Sequence, residues 1–555
     1  MKQTPLSSKR AKKEIPAKPA GIAVQCLNAL QPLFHLLARP LWWGIIVQDF
    51  VIILFSILVA SQLWGENLKA KFGLIDDHEV ISYLGPKSSI SLNETINIFR
   101  STEAVNPGVY NRYRPSYYFL RCTETYLWGD SPTLWYKSRL AMFVISLAIA
   151  WSILARISTL GIATFLVLFA LHAPYWGLIW AVLGPSETYA CFGLAIYFLG
   201  YYLCWRNGLE AGTLGWALIF VGTLISAGAK ENFTLLAIPT ALLLTRQFMV
   251  GQGNWKSILG SLSSVGFCLF VLNAARIGAN RAKQDIYAQP VDSARLKPLL
   301  QELSFSNPLL WSTILVLLGL ALLYWRDRTG TRTKTALRWA GSTMFLELVL
   351  YAVYLALLVF YNGKWQMDSR YAFPGELIHL AMFAYPVISF LKLPPIIEMP
   401  STRFACLLLS AAAVCGVIYQ GFEKNMQFAA ANAMKTSSLQ DLIEKSRKAA
   451  LESPSTAIIL YSQNLGDFEA LYAVERYLRH TGMRNPIMFE MAKEFGNGSF
   501  SPEMIPQLTK TLKDMENGAS VFTARNTLAE KQPCYYLGLT VTPKSERCGV
   551  IGAIR

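Results

Sequence analysis

The chain has 555 residues, of which 53% are hydrophobic and 15% are charged. A soluble domain usually carries about 25% charged residues, so this composition is typical of a membrane protein and argues against a soluble enzyme. The formal net charge is +16, with Lys and Arg concentrated at the N-terminus and in particular loops. That placement orients membrane helices and does not indicate a nucleic-acid partner.

The N-terminal segment 1–43 is predicted to be a cytoplasmic tail. Its early basic residues are Lys9, Arg10, Lys12 and Lys13. Because the tail shows no early apolar stretch with a small-residue cleavage site, it does not resemble a cleaved signal peptide. Residues 22–37 are compatible with an amphipathic helix on the membrane surface, and residues 1–20 equally with a disordered basic tail.

Between residues 44 and 420, long apolar runs recur, separated by short polar loops. A helix needs about 20 apolar residues to cross the hydrocarbon core, and continuous runs indicate helices rather than barrel strands. The pattern predicts a mainly α, polytopic membrane protein with about eleven spans. The predicted spans are 44–64, 139–156, 158–173, 187–204, 213–229, 232–246, 257–277, 308–325, 340–360, 376–392 and 403–420.

Alternation of the spans assigns each loop to one side of the membrane. With the N-terminus inside, the strongly basic run 326–338 also lies inside, as expected for cytoplasmic loops. The segments that fall outside are the long first loop 65–138, then 174–186, 230–231, 278–307, 361–375 and the C-terminal region 421–555. The predicted domains are therefore the tail 1–43, the membrane domain 44–420 and an extracytoplasmic domain 421–555.

The C-terminal region 421–555 is predicted to be a small α/β domain. A short β-like apolar run at 457–460 precedes a helix-like segment at 468–479. The nine cysteines form no CxxC pair, so the spacing does not indicate a zinc site. Cys534 and Cys548 lie in this polar region and could form a disulfide if it is extracytoplasmic.

Four polar residues follow the first span in a row: Asp76, Asp77, His78 and Glu79. Like charges this close raise the pKa of at least one carboxyl unless a cation neutralises them. Such a carboxylate can act as a general base toward a hydroxyl nucleophile. A solvated acidic turn at the start of the loop is equally compatible with the spacing.

Other polar residues are predicted on the same outer side. They are Arg112, Arg114, Glu187, Lys230, Glu231, Arg370 and Tyr371. Each one alone is typical of an anchor at headgroup depth. Together they supply cations that suit a phosphate and aromatic surface that suits a sugar or a lipid.

At these residues the chain resembles the GT-C superfamily of polytopic glycosyltransferases. The resemblance covers the membrane region and rests on the pair Asp76-Asp77 after the first span and on the long first outer loop. The outer Lys230-Glu231, the outer Arg370-Tyr371 and the outer C-terminal domain support it. The tract typical of oligosaccharyltransferases is missing, so transfer of whole glycans to asparagine is not implied.

The resemblance implies a donor in which the sugar is linked to polyprenyl phosphate. Asp76 would be the general base, with Asp77 as its partner or as the alternative base, and Lys230 and Arg370 would hold the donor phosphate. No cofactor is firmly implied, although a divalent cation fits the family. The acceptor would be a glycan, lipid or protein hydroxyl in cell-envelope assembly at a bacterial inner membrane. The sequence shows no Rossmann or phosphate-loop motif for a nucleotide sugar.

Two other functions are compatible with the sequence. A secondary transporter would need charged residues near the middle of spans, and Glu347 is the clearest such residue. A non-catalytic envelope-assembly subunit would use 421–555 to bind a partner. The long outer loop and the C-terminal domain favour the transferase over the transporter.

Overall fold

The computed structural model describes most of the membrane region and part of the C-terminal region. The described residues are 44–105, 113–158, 160–207, 212–281, 308–326, 333–360, 370–391, 400–462, 467–491, 520–522, 532–539, 545 and 547–554. The predicted amphipathic segment 22–37 and the candidate site residue Arg112 lie outside these residues.

The described chain is mostly helical. Its α-helices up to the C-terminal region are α1 (Gly44–Trp64), α2 (His78–Leu84), α3 (Leu92–Ser101), α4 (Pro115–Trp128), α5 (Pro132–Ile157), α6 (Leu160–Ala170), α7 (Tyr175–Trp180), α8 (Ser186–Asn207), α9 (Gly212–Ala229), α10 (Ala237–Met249), α11 (Trp255–Arg281), α12 (Pro308–Arg326), α13 (Thr333–Phe360), α14 (Gly375–Leu391) and α15 (Pro400–Leu451). Short 3-10 helices lie at Gly65–Lys69, Glu231–Leu236 and Arg370–Ala372.

Each predicted span overlaps a helix, and within the part of the chain that the structure describes five stretches are long and apolar enough to cross a membrane. These five are Val47–Lys69, Pro132–Ile157, Ser186–Arg206, Trp255–Ile277 and Ala336–Leu357. Shorter apolar helices occupy Leu160–Ala170, Thr213–Ala229 and Ser312–Leu323. Large apolar side chains such as Phe50 and Leu262 are exposed on these helices, as expected for lipid-facing surfaces. The polytopic helical class is confirmed, while the number of spans stays a prediction.

Helices α8 and α9 pack in close antiparallel contact. A Cβ added to Gly193 would come within 2.6 Å of the Ser226 hydroxyl, and one added to Gly222 would come within 2.4 Å of the Tyr197 nitrogen. Small residues allow the backbones of membrane helices to approach in this way. The packing places the first turn of α8, with Glu187, beside the end of α9.

Aromatic side chains fill the core between α1, α5 and α7. The Phe143 ring meets the Trp64 ring edge-on with centroids 5.8 Å apart, and the Trp180 ring with centroids 5.1 Å apart. All three side chains are buried. Such pairs stabilise by about 0.5–1.5 kcal/mol beyond the burial of their area. This core holds the end of α1 against α7, just before the loops that carry the candidate site.

Helix α15 extends from the last predicted span into the C-terminal region. Its 52 residues correspond to a length of about 78 Å at 1.5 Å per residue. Along the way the Asn425 amide donates hydrogen bonds of 3.0 and 3.2 Å to the carbonyls of Leu171 and Ala173. The predicted domain boundary at 420/421 therefore falls inside one continuous helix. The division into domains stays a prediction.

The C-terminal region contains a parallel five-stranded sheet. Its elements are β1 (Ala457–Ser462), α16 (Phe468–His480), β2 (Ile487–Met491), β3 (Ser520–Phe522), β4 (Cys534–Gly538) and β5 (Gly549–Ala553), with strand order β3-β2-β1-β4-β5. The β-like run and the helix-like segment read from the sequence are confirmed as β1 and α16. Cys534 and Cys548 form a disulfide, as the sequence suggested.

Candidate active site

The loop that carries Asp76, the first residue of the acidic row, crosses the loop before α8. Asp76, between the 3-10 turn after α1 and helix α2, has a φ of +66°. This left-handed conformation is uncommon for a residue with a side chain. A Cβ added to Gly184, in the loop before α8, would lie only 1.9 Å from the Asp76 Cβ. Glycine is therefore required at 184 for the two loops to approach this closely.

Arg370 reaches Asp76 from a segment 294 residues later in the chain. Its Nη1 donates a hydrogen bond of 2.9 Å to Asp76 Oδ2. The two side chains are 29% and 31% exposed, so both the cation and the carboxylate remain open to a ligand. The Arg370 Nε also lies 3.9 Å from Glu187 Oε1. This pair brings together the predicted base and the predicted phosphate ligand.

Lys230 joins the same group through Glu187. Its ammonium donates a hydrogen bond to Glu187 Oε1, and both side chains are buried. Burial lowers the pKa of Lys230, while the Glu187 carboxylate opposes this shift. The Lys230 Nζ lies 4.8 Å from the centre of the Tyr371 ring, and the Arg370 guanidinium 5.6 Å from it. The aromatic face thus supports two neighbouring cations.

A second ion pair lies at the start of α4. The Arg114 Nε is 3.2 Å from Glu231 Oε2, and the Tyr113 backbone N–H donates to Glu231 Oε1 at 3.1 Å. Each of the cations Arg114, Lys230 and Arg370 therefore contacts a carboxylate. Since an anion entering the group must compete with these carboxylates, the half-exposed pair with Arg370 is the contact most easily exchanged.

Asp77 and His78 face away from Arg370. Asp77 is 2% exposed, accepts a 2.6 Å hydrogen bond from the Gly73 N–H, and lies 3.8 Å from Arg121. Burial raises its pKa to about 6, with Arg121 opposing. The His78 ring packs edge-on against Tyr472 of α16, and burial lowers its pKa to about 4. The structure thus directs Asp76, rather than Asp77, toward the cations.

Glu79 lies at the same crossing of loops and is bonded to α4. The Tyr117 hydroxyl oxygen is 3.0 Å from Glu79 Oε2 and 3.1 Å from the Gly184 carbonyl oxygen. Burial raises the pKa of Glu79 to about 7, and the charge of Arg121 opposes this shift. Glu79 therefore titrates near neutral pH beside the predicted base.

The structure brings most of the predicted outer residues into one group. Those within it are Asp76, Glu79, Arg114, Glu187, Lys230, Glu231, Arg370 and Tyr371, whereas Asp77 and His78 are turned away from it. Sequence reasoning missed Arg121, Tyr117 and Gly184. The spacing of Tyr117 and Arg121, one turn apart on α4, is the signal that could have found two of them, because positions i and i+4 share one helical face. The roles of all these residues stay predictions.

Among the residues that the structure describes, no group of three or more His, Cys, Asp or Glu side chains could hold a metal ion. Three carboxylates of the candidate site pair with cations: Asp76 with Arg370, Glu187 with Lys230 and Glu231 with Arg114. The divalent cation that the family resemblance allows stays a prediction.

Glu79→Gln should make stability less dependent on pH. The pKa of Glu79 is raised from 4.5 to about 7 in the folded state, so its contribution to stability is present below about pH 4.5 and is lost as the pH rises through 7. The size of this effect is on the order of 2–3 kcal/mol. Thermal unfolding of both proteins at pH 5 and pH 8 measures it. An equal change in Tm with pH for wild type and variant would contradict the assignment.

Gly184→Ala should displace Asp76 without replacing any charged residue. The added methyl would need space now taken by the Asp76 Cβ, so one of the two loops must move. We expect loss of stability by about 1–3 kcal/mol and loss of any activity that depends on Asp76. Gly161→Ala is the control, because a Cβ there meets nothing within 4 Å. Equal behaviour of the two variants in thermal unfolding would contradict the crossing of the loops.

Comparisons with known proteins leave the family open. No protein-family model matches the chain. Among curated proteins, the uncharacterized inner membrane transporter YicL of Salmonella typhimurium is 28% identical over 200 residues, which are 34% of this chain and 63% of YicL. The match thus spans less than two thirds of that relative's length.

Among solved structures, ArnT from Cupriavidus metallidurans bound to undecaprenyl phosphate aligns with 14% identity and a TM-score of 0.37, over 81% of this chain and 92% of ArnT. Its apo state aligns with 13% identity and the same TM-score, over 80% and 90%. Likenesses at this level carry no argument about function. From its own apolar helices, the chain is a polytopic integral membrane protein with a polar site where the ends of several helices meet.

Proposed function

We propose that this protein is a membrane glycosyltransferase of the GT-C type. It moves a sugar from a polyprenyl-phosphate donor to an acceptor hydroxyl on the extracytoplasmic side. The observation that carries the proposal is the contact of 2.9 Å between Arg370 and Asp76, with Lys230 held beside them by Glu187. A partly exposed carboxylate and cation, with a second, buried cation beside them, are the groups that such a transfer needs.

The reaction follows from these three side chains. The acceptor hydroxyl oxygen bonds to the anomeric carbon while the bond from that carbon to the phosphate oxygen breaks. Asp76 takes the hydroxyl proton, and Arg370 and Lys230 stabilise the charge on the departing polyprenyl phosphate. Attack opposite the leaving phosphate inverts the anomeric configuration. When a phosphate oxygen replaces Asp76 on Arg370, the carboxylate becomes available as the base.

The compartment is also part of the proposal. A lipid-linked donor diffuses within the membrane and presents its phosphate at headgroup depth, where the ends of α8, α9 and α14 meet. The disulfide between Cys534 and Cys548 supports an oxidising compartment for the C-terminal region. The N-terminus is accordingly proposed to be cytoplasmic, in a bacterial inner membrane. The acceptor class is a glycan, lipid or protein of the cell envelope.

A secondary transporter is the second candidate function, because Glu347 is fully buried near the middle of α13. Ionisable residues within spans often serve ion or proton pathways. This alternative predicts that Glu347→Gln abolishes function and Asp76→Asn does not. The transferase predicts the reverse. An assembly subunit, the third reading, predicts that both variants keep function.

The test is a transfer assay on the full-length protein in lipid nanodiscs. Labelled polyprenyl-phosphate sugars of several types are offered with a membrane extract as the source of acceptors. The expected result is release of polyprenyl phosphate matched by label in a new covalent product. Failure to bind or consume any donor across the panel, with a folded protein, would overturn the proposal.

A further inference from the structure

Three polar side chains in and just before helix α4 lie close to the candidate site. Arg114 immediately precedes the first residue of α4, whereas Tyr117 and Arg121 are one turn apart and therefore share one face of the helix. Arg114 pairs with Glu231, and Tyr117 contacts Glu79 and the Gly184 carbonyl. The third residue, Arg121, has no part in the chemistry proposed above, yet it is completely buried.

Arg121 binds both of the loops that cross, the one with Asp76 and the one with Gly184. Its Nη1 donates a hydrogen bond of 2.9 Å to the carbonyl of Leu183, and its Nη2 donates one of 3.0 Å to the carbonyl of Asp76. Leu183 immediately precedes Gly184. One guanidinium therefore binds the backbone of both loops.

The shape of the guanidinium matters for this contact. Its rigid planar fork can donate to two acceptors in fixed directions, whereas an ammonium is a compact charge on a flexible stem. The Trp135 ring lies 5.1 Å from the Arg121 guanidinium carbon and supports its face. A buried cation is costly unless it is paired, and the carboxylate of Asp77 lies 3.8 Å from the Arg121 Nη2.

We propose that Arg121 is a positioning residue that holds the Asp76 carboxylate toward Arg370 by fixing the Asp76 and Leu183 carbonyls. The inference rests on the proposed function, since Asp76 is the base of that reaction. Without the hydrogen bond from Arg121, the backbone at Asp76 can leave its left-handed conformation, and the carboxylate then turns away. A displacement of about 1 Å can lower turnover by about 100-fold.

Arg139 provides a matched control. It is as deeply buried as Arg121 and lies 5.9 Å from the centre of the same Trp135 ring. Its guanidinium is bonded to Glu124 by two hydrogen bonds of 2.8 Å and reaches the Leu183 carbonyl only at 3.5 Å. Arg139→Lys therefore changes a buried cation at the same ring while leaving the hydrogen bond to Asp76 intact.

Hydrogen exchange tests whether Arg121 holds the two loops together, and the measurement needs no sugar donor. In Arg121→Lys, backbone amides in 74–80 and 181–186 should exchange at least about tenfold faster than in wild type, since opening of both loops becomes easier. In Arg139→Lys, the segment 74–80 should exchange as in wild type. Equal acceleration of 74–80 in the two variants would overturn the proposal.

Kinetics then test the consequence for transfer. Arg121→Lys should lower kcat by about 100-fold and leave the affinity for a polyprenyl-phosphate donor within about threefold, because Arg370 and Lys230 remain in place. A variant that keeps wild-type kcat would overturn the positioning role. Absence of turnover in wild type would instead count against the proposed function, and the exchange result would still decide whether Arg121 ties the loops.

A second variant, Tyr117→Phe, keeps the proposal testable if Arg121→Lys does not fold. Tyr117→Phe removes one hydroxyl from the same face of α4 without removing a charge. It should accelerate exchange in 181–186 and lower kcat by a smaller factor, about tenfold, because the contacts of the hydroxyl with the Gly184 carbonyl and Glu79 are lost while Arg121 still binds both loops. Unchanged exchange and unchanged kcat in Tyr117→Phe would contradict a role for this face of α4.

Discussion

Arg370→Ala should lower the affinity for a polyprenyl-phosphate donor by about 10- to 100-fold. The expected loss corresponds to a charge-assisted hydrogen bond to phosphate, which contributes about 1.5–3 kcal/mol. Arg370→Lys should recover part of the affinity, because the charge returns without the planar fork. Equilibrium binding of undecaprenyl phosphate to the protein in nanodiscs measures the effect.

Arg156→Ala is the control for this prediction. Arg156 pairs with Asp49 in a part-buried contact, with side chains 21% and 30% exposed, which is close to the exposure of Arg370 and Asp76. It lies at the end of α5, on the side predicted to be cytoplasmic. We expect normal donor affinity in this variant. Equal loss of affinity in the two alanine variants would contradict a phosphate site at Arg370.

Asp76→Asn should abolish transfer while leaving the donor bound. The amide keeps the size of the side chain but cannot accept the acceptor proton, and loss of a general base typically lowers turnover by about 10²–10⁴-fold. Donor affinity should stay equal or rise, because Arg370 no longer has a carboxylate competing with the phosphate. Transfer rates and donor affinity are measured on the same preparation.

Asp77→Asn distinguishes the two neighbouring carboxyls. Asp77 is buried against Gly73 and Arg121, so its substitution should affect stability more than the proton-transfer step. The kcat values of Asp77→Asn and Asp76→Asn are compared on preparations with equal fractions of folded protein. If Asp77→Asn loses turnover and Asp76→Asn keeps it, then Asp77 is the base and the assignment of Asp76 is wrong.

Local patterns explain which parts of the fold could be predicted from the sequence. Hydropathy over about 20 residues marks each apolar helix independently of the others, so each predicted span overlaps a helix. A short apolar run and a helix-like segment likewise predict β1 and α16. The boundary at 420/421 is less predictable, because residues 421–451 contain no Pro, are rich in Ala and Lys, and continue α15 as a helix.

The candidate site was only partly predictable because its contacts are long-range. The predicted alternation of spans puts Asp76 and Arg370 on one side of the membrane. No local sequence pattern, however, pairs residues 294 positions apart. Which carboxyl of the row faces Arg370 depends on the positive φ at Asp76, and that conformation depends on glycine at 184 in another loop. Arg121 was missed because both of its hydrogen bonds go to backbone carbonyls, which every residue has.

The most direct test of the proposed site compares donor binding and sugar transfer for wild type, Arg370→Ala and Asp76→Asn in nanodiscs of one composition. We expect three different outcomes. Wild type binds the polyprenyl-phosphate sugar and transfers it, Arg370→Ala fails to bind it at the concentration used, and Asp76→Asn binds it without transfer. If both variants bind and transfer like wild type, the site formed by Arg370 and Asp76 is not the place where the sugar is transferred.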